Sequence, residues 1–205
     1  MCRQPLAILF TGLAFEWAVE GAEPGRGIAM NLIEPGKGPA IPELKIPHDF
    51  YWVLTEPAPL AGMPMPRSGF PWEAVHAAGF HDVVSLAPGD YNPAPLAVSF
   101  AEELEDLWHG GFPKDEEREK KLIGKAVAAV LTGLHNGRGV LVHCLGGRGR
   151  TGTVLGCALR ELGFPADTVV EWLRKVHHER DRGGWPESSW QEKLVREWTA
   201  GTPNE

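Results

Sequence analysis

Cysteine is scarce in this chain of 205 residues, and the spacing of its cysteines excludes two classes of site. The three cysteines, Cys2, Cys144 and Cys157, form neither an even-numbered disulfide framework nor a Cys-x-x-Cys pair. A His-Glu-x-x-His motif is also missing, so the sequence implies no metal ion and no other cofactor. We therefore expect a protein of a reducing compartment, the cytoplasm, where thiols stay free.

An excess of positive charge is missing as well. The 20 Lys and Arg residues are outnumbered by 27 Asp and Glu residues, which gives a formal net charge of −7. Nucleic acids and anionic membrane surfaces attract proteins through clustered cations. We expect neither of them as a partner.

No apolar run of the length that spans a bilayer stands near the N-terminus. Residues 6–15 are apolar but too few for a span, so stable membrane insertion is not expected. They resemble a signal-peptide core, yet Glu16 and Glu20 follow at once, which leaves secretion as the minor alternative to the cytoplasm. Because residues 21–42 are rich in Gly and Pro, we predict a flexible N-terminal extension at 1–44 and one domain at 45–205.

Hydrophobic periodicity predicts short strands separated by helices. Residues 50–54, 81–86 and 140–142 are compact runs of the kind found in strands. Helical spacing follows Pro113, where Ile123, Val127 and Leu134 recur at helical intervals. Further helices are predicted at residues 72–78, 100–108, 153–162, 166–178 and 190–198. This order favours a single-domain α/β sandwich with a mainly parallel central sheet flanked by helices, and a site at the carboxyl ends of its strands.

The loop between the predicted strand at 140–142 and the helix at 153–162 carries the clearest chemical signal. His143 and Cys144 stand at its start, and Arg150 and Thr151 stand at its end. Cys144 precedes a helix N-terminus, whose dipole and free N–H groups favour the thiolate, the nucleophilic form of the side chain. The planar guanidinium of Arg150 can bind two oxygens of one phosphate group.

Glycines in the same loop allow successive backbone N–H groups to point inward and surround an oxyanion. The predicted phosphate-binding residues are Leu145, Gly146, Gly147, Arg148, Gly149 and Arg150. A thiolate beside such a nest suits in-line displacement at phosphorus through a phosphocysteine intermediate. A hydrogen bond from Thr151 to the sulfur would help the thiolate to leave.

The run from His143 to Gly152 resembles the His-Cys-x5-Arg-Ser/Thr-Gly signature of the cysteine-dependent protein tyrosine and dual-specificity phosphatases. Its Gly-Gly-x-Gly-Arg form is most similar to the cyclin-dependent-kinase-associated phosphatase group and its bacterial relatives. Weaker flanking similarity covers about residues 45–200. The resemblance implies a metal-independent phosphatase that acts on phosphotyrosine, with phosphoserine and phosphothreonine as further substrates in dual-specificity members.

The resemblance also implies an aspartic acid that protonates the leaving oxygen, roughly thirty residues before the cysteine. Asp115 stands twenty-nine positions before Cys144 and is the favoured candidate. Glu116 is the alternative, because in dual-specificity phosphatases the acid often falls three residues after a proline. Asp106 is less suitable, because it falls within the helix predicted at 100–108.

Four other residues have two interpretations or a less certain role. Gln191 positions the hydrolytic water, as the resemblance implies, or completes a helix capping box. Arg148 is a specificity element of the kind found in phosphatases of phosphoinositides, or it is solvated. Cys157 is a core residue or the partner of Cys144 in a regulatory disulfide. His143, which precedes the nucleophile in the signature, is a further site candidate.

Other functions compete with the favoured one. Gly147-x-Gly149-x-x-Gly152 after a strand matches a dinucleotide-binding fingerprint, but the next segment has helical spacing where that fold needs a strand. A non-catalytic module would bind phosphate without reaction. A phosphatase of phosphoinositides or other small phosphate esters is the second enzymatic candidate. The favoured prediction is a monomeric protein phosphatase whose partner is a phosphorylated protein or peptide.

Overall fold

A five-stranded sheet forms the centre of the computed structural model, which describes residues 30–199. The strands are β1 (Tyr51–Leu54), β2 (Leu60–Met63), β3 (Phe80–Ser85), β4 (Ala97–Ala101) and β5 (Gly139–His143). They lie in the order β1-β2-β5-β3-β4. The β1–β2 pair is antiparallel, and the other three pairs are parallel. The predicted α/β class with a mainly parallel sheet is confirmed.

Helices cover both faces of the sheet. They are α1 (Trp72–Ala77), α2 (Glu116–His135), α3 (Gly149–Glu161), α4 (Ala166–Glu179) and α5 (Ser189–Glu197). The larger core lies between one face of the sheet and the four helices α2, α3, α4 and α5. The smaller core lies between the other face and α1, together with the chain before β1. Burial of apolar side chains on both faces accounts for the continuous apolar run of the central strand.

Strand β5 positions the signature loop, by which we mean residues 144–150, which run from this strand into the first turn of α3. It lies between β2 and β3, parallel to both, and all five of its residues are buried. His143, its last residue, is paired with Met63 of β2 and Ser85 of β3. Cys144 therefore leaves the sheet where three parallel strands end together, which is where open α/β folds place their sites.

The helix predicted at 100–108 is wrong. Residues Ala97–Ala101 form strand β4, paired parallel with β3, and an irregular segment follows them. Phe100, Leu104 and Leu107 are buried in the larger core, and their spacing imitates one helix face. The backbone instead joins the sheet, where Leu104 N–H donates to Leu86 O at 3.2 Å. Burial from an extended chain explains the same apolar pattern.

Residues 30–44, which the sequence assigned to a flexible extension, pack against the domain. Ile41 is buried, and Ile33 N–H donates to Val53 O at 3.0 Å. The indole N–H of Trp172 on α4 donates to Ile33 O at 2.6 Å. The packed domain thus begins before residue 45. The apolar run at 6–15 and Cys2 lie outside the described residues, within which no helix has the length and apolar character needed to cross a bilayer.

Candidate active site

Cys144 lies directly after β5, in the loop that leads into α3. The residue is 2 % exposed, and its Sγ accepts a hydrogen bond from Gly147 N–H with an N–S distance of 3.2 Å. Because α3 begins at Gly149, the free N–H groups of its first turn lie beside the same loop. The candidate nucleophile is therefore in surroundings that favour negative charge.

Gly147 is held from behind by two side chains that the sequence did not single out. Its φ is +65°, and its carbonyl oxygen accepts from Tyr51 Oη at 3.1 Å and from Arg180 Nη1 at 2.7 Å. Burial raises the pKa of Tyr51, so its hydroxyl stays protonated and donates. Arg180 is itself buried, and its guanidinium stacks 4.6 Å from the centre of the Tyr51 ring. These contacts fix the turn that directs the Gly147 N–H at the sulfur.

Arg150 extends from the first turn of α3 to the segment that follows β4. Its Nη2 lies 3.0 Å from Asp106 Oδ2, and its Nη1 donates to Leu104 O at 3.3 Å. The guanidinium is buried, whereas about half of the Asp106 side chain is exposed. The structure thus brings together the predicted phosphate-binding arginine and the carboxylate that the sequence had judged less suitable.

These groups open into one cavity of about 260 Å³. The signature loop contributes Cys144, Leu145, Gly146, Arg148, Gly149 and Arg150 to its wall. Asp106, Trp108, Arg182 and Glu187 contribute the rest of the lining. Gly147 belongs to the loop but is not among the lining residues, and the backbone of Met63 and Pro64 occupies the space that a Cβ at Gly147 would need. A thiol, a guanidinium and a carboxylate therefore line the same open cavity.

Asp115 and Glu116 do not line this cavity. Asp115 is the N-cap of α2, and its carboxylate accepts from Arg118 N–H at 3.0 Å. Glu116 Oε1 accepts from the indole N–H of Trp190 at 2.7 Å. The geometry contradicts the prediction that either residue faces the nucleophile, because both carboxylates serve helix α2 and its packing.

Arg148 links the signature loop to the segment between α4 and α5. Its Nε donates to Glu187 Oε1 at 2.8 Å, and its Nη1 donates to Arg182 O. Both members of the ion pair are largely buried. The solvated interpretation is therefore contradicted, and the charge of Arg148 is paired within the protein.

His143 is buried and hydrogen-bonded on both ring nitrogens. Nε2 meets Tyr91 Oη, and Nδ1 lies 3.4 Å from Cys144 O. Burial lowers its pKa to about 4, so the imidazole is neutral near pH 7. The Tyr91 ring stacks on Trp72 with 5.7 Å between ring centres, which fixes the hydroxyl that His143 meets. His143 thus supports the loop from the side of α1.

Thr151 and Gln191 differ in how far the structure bears on their predicted roles. Thr151 is buried, and its Oγ1 has no hydrogen-bond partner among residues 30–199, so it does not contact the sulfur in this conformation. Gln191 completes the predicted capping box with Ser188 and also accepts from Glu187 N–H at 2.9 Å. Its amide therefore braces the segment that carries Glu187.

Two competing predictions can be compared with the fold. The segment after α3 is helix α4, so the strand that a dinucleotide-binding unit requires at that point is missing. Cys157 is a fully buried free thiol of α3, and burial raises its pKa well above the usual value.

Within the described part of the chain, no cluster of three or more His, Cys, Asp or Glu side chains is arranged to hold a metal ion.

The chain is similar to several solved structures, each less than 25% identical to it. The core catalytic domain of the PP-IP phosphatase Siw14 from S. cerevisiae is 14% identical, with a TM-score of 0.49, over 68% of this chain and 80% of that one. Tk-PTP in its active form is 23% identical, with a TM-score of 0.49, over 67% of this chain and 91% of that one. TpbA of P. aeruginosa is 18% identical, with a TM-score of 0.47, over 67% and 78%.

A family model describes the chain more directly. The model of the "PTP-SAK: Swiss Army Knife protein, DSP-PTPase phosphatase domain" matches residues 47–187, which is more than half of the sequence. The match spans the sheet, the signature loop and every residue that lines the cavity. The chain therefore belongs to this family of dual-specificity-type phosphatase domains and is a phosphatase.

Proposed function

We propose that the protein is a metal-independent phosphomonoesterase in which Cys144 is the nucleophile and Asp106 is the proton donor. The observation that carries the proposal is the shared cavity. Cys144, Arg150 and Asp106 all line it, and the Cys144 sulfur and the Asp106 carboxylate converge on it from two different chain segments. In-line displacement needs a nucleophile and a proton donor on opposite sides of the phosphorus atom.

In the first step the thiolate of Cys144 attacks phosphorus. An S–P bond forms while the P–O bond to the substrate breaks, and the leaving oxygen takes a proton from the carboxyl group of Asp106. The loop N–H groups and the fork of Arg150 bind the three non-reacting oxygens, where negative charge is concentrated in the transition state. Arg150 is well placed for this, since it follows the loop and lies buried at the cavity wall.

The contact between Arg150 and Asp106 gives the substrate a second role. In the described conformation Asp106 Oδ2 lies 3.0 Å from Arg150 Nη2. An incoming phosphate dianion competes for the same guanidinium. Its binding would displace the carboxylate from Arg150. Asp106 would then take up a proton from solvent and turn towards the leaving oxygen. Substrate binding and placement of the acid are then one event.

In the second step water hydrolyses the phosphocysteine. Asp106, now a carboxylate, takes a proton from the water as its oxygen bonds to phosphorus and the S–P bond breaks. The thiolate returns to the hydrogen bond from Gly147 N–H. The hydroxyl of Thr151, the residue after Arg150, is proposed to turn towards the sulfur and stabilise the departing thiolate. Inorganic phosphate leaves, and the donor and nucleophile are restored.

The proposed substrate class is phosphotyrosine in a protein or peptide, with phosphoserine and phosphothreonine as further substrates. Support comes from the rim of the cavity, where Trp108 and Leu145 are 61% and 62% exposed. Two exposed apolar side chains at the mouth of a polar site suit packing against an aromatic ring. An aryl phosphate ester would place its ring there while its phosphate lies in the loop.

A second candidate substrate is a phosphoinositide or another small ester with more than one phosphate. The observation that favours it is Arg182, which lines the same cavity. Arg148 gives less support, because its charge is paired with Glu187. A phosphotyrosine ring needs an apolar contact at the rim of the cavity, whereas a phosphoinositide needs a second cation there.

The test compares phosphotyrosine peptides, phosphoserine peptides and phosphoinositides with the purified protein. We expect hydrolysis of the tyrosine peptide and loss of turnover in Cys144→Ser. With dinitrophenyl phosphate, whose leaving group needs no acid in the first step, we expect a trapped phosphocysteine in Asp106→Asn after acid quench. Preference for phosphoinositides would overturn the substrate class but not the mechanism. Full activity of Cys144→Ser would overturn the mechanism, and inactivity towards every ester with retained phosphate binding would identify a non-catalytic module.

A further inference from the structure

Glu119 is a buried acid that the proposed reaction does not use. It lies in the first turns of α2 and is 2 % exposed. Its Oε1 accepts a hydrogen bond from Glu105 N–H at 3.0 Å, and its Oε2 has no partner within residues 30–199. Burial raises its pKa to about 7. Burying a carboxyl group with one oxygen unpaired costs free energy. The role of Glu119 therefore depends on what its one hydrogen bond holds in place.

The backbone that Glu119 binds is the one that carries Asp106. Leu104 and Leu107, on either side of Glu105 and Asp106, are both buried in the larger core. Leu104 is also fixed by its N–H bond to Leu86 O and by the contact of its carbonyl with Arg150. Between the two leucines, Glu105 N–H is the peptide group that Glu119 binds. That N–H and the Leu104 carbonyl bound by Arg150 belong to one peptide group, Leu104–Glu105, so the direction of this group depends on the bond to Glu119.

Glu105 also closes the loop that follows. Its carboxylate accepts from Lys114 N–H with both oxygens, each at 3.1 Å. The chain from Glu105 to Lys114 is thus joined at its base by the Glu105 side chain, while the Glu105 backbone is joined to α2 by Glu119. Glu105 therefore anchors the loop that contains Asp106 and Trp108 through both its backbone and its side chain.

We propose that Glu119 is a positioning residue that holds the Leu104–Glu105 peptide, one residue ahead of Asp106, so that the Asp106 carboxyl group faces the leaving oxygen. The inference rests on the proposed role of Asp106 as proton donor. Glu119 is not among the residues that line the cavity, although its carboxyl group interacts electrostatically with Arg150. Its loss should therefore impair proton transfer more than phosphate binding, and Glu119→Gln, which also removes the charge, separates the two effects.

The experiment uses leaving groups of different basicity, because only a basic leaving oxygen needs a proton in the transition state. Dinitrophenyl phosphate and phenyl phosphate are compared as substrates of the wild type, Asp106→Asn, Glu119→Met and Glu119→Gln. Met has similar length but no acceptor, whereas Gln keeps an oxygen for Glu105 N–H. Glu117→Gln is the matched control, because its side chain is 85% exposed on the same helix and pairs with Lys120.

General acid catalysis contributes about 10²–10⁴-fold, so a misplaced donor should cost part of that range. For Glu119→Met we expect kcat/KM on phenyl phosphate to fall about tenfold, with a change on dinitrophenyl phosphate of less than about twofold. Glu119→Gln should recover most of the loss, and Glu117→Gln should match the wild type. Thermal melting of each variant reports whether the fold is kept.

Each outcome decides something. Equal losses on both substrates in Glu119→Met would show a general structural role, and no loss on either would show that Glu105 N–H needs no fixed acceptor. Both results overturn the inference if Asp106→Asn is selective between the substrates. If Asp106→Asn is not selective, the proton donor itself is wrong and the inference falls with it. If Glu119→Met does not fold, Glu119→Gln decides. A wild-type kcat/KM on both substrates supports the inference, and a selective loss of kcat/KM on phenyl phosphate overturns it.

Discussion

Gly147→Ala tests how the signature loop is built. The residue has φ +65°, in the left-handed region that an alanine adopts at a cost of about 1–2 kcal/mol. Its added Cβ would also lie 2.4 Å from the carbonyl carbon and oxygen of Met63 and from Pro64 N. Those atoms belong to the backbone at the end of β2, whose pairing with β5 resists displacement. The loop must therefore move instead.

The magnitude follows from these two terms. Left-handed strain and overpacking together should lower the free energy of unfolding by about 2–5 kcal/mol. A shifted loop also loses the 3.2 Å hydrogen bond from Gly147 N–H to Cys144 Sγ. Since the same amides are expected to bind the phosphate oxygens, kcat/KM on an aryl phosphate should fall about 10²–10³-fold.

Urea unfolding and steady-state kinetics measure the two effects separately. Gly146→Ala is the stability control, because a Cβ at Gly146 meets nothing within 4 Å and φ is not positive there. We expect its free energy of unfolding to stay within about 1 kcal/mol of the wild type. A Gly147→Ala protein as stable and as active as the wild type would refute the reasoning.

Three further predictions concern charge. Arg150→Lys keeps the charge but loses the fork, so kcat/KM on an aryl phosphate should fall about 10²–10³-fold, and an unchanged value would remove Arg150 from phosphate binding. Arg148→Met leaves the Glu187 carboxylate without its partner and should lower the urea-derived free energy of unfolding by about 1–3 kcal/mol. Adding Glu187→Gln to the same chain should restore part of that loss, whereas additive losses from the two substitutions would argue against the pair. The Glu119 pKa is raised from 4.5 to about 7 by burial, so the folded chain binds more protons and stability should fall as pH rises through that interval. Thermal melting of Glu119→Gln should lack this component, and parallel pH curves for the two proteins would contradict it.

The signature loop could be predicted because its parts are contiguous. A strand, a cysteine, a glycine-rich turn and an arginine follow one another within residues 140–150, so local spacing alone defines their relation. The structure brings Cys144 and Arg150 to one cavity, as the spacing indicates. The same holds for the capping box of α5, where Ser188 and Gln191 are three residues apart.

The sequence ranked Asp106 below Asp115 for a physical reason. Phe100, Leu104 and Leu107 are buried at intervals that a helix would also produce, and the segment was therefore assigned to one. Distance along the chain then favoured Asp115, which has the N-cap position that its sequence context suits equally well. Periodicity reports which side chains are buried, but not whether the backbone between them is helical or extended.

The supports behind the loop were beyond local patterns. Tyr51 and Arg180 both bind Gly147 O, although they stand 96 and 33 positions away from it in the sequence. Neither has an unusual neighbourhood, and a tyrosine in a strand or an arginine after a helix is common. Only the packing of β1 and α4 around the loop reveals what these two side chains share.

Arg180 also limits how far the protein can be trimmed. Its Nε and Nη2 donate to Pro47 O at 3.1 Å and to His48 O at 3.4 Å. The family match begins at the first of these two residues. A fragment cut to that match would leave the guanidinium bound to a fraying chain end. Such a fragment should lose turnover before it loses secondary structure, and expression work should keep residues 30–46 in place.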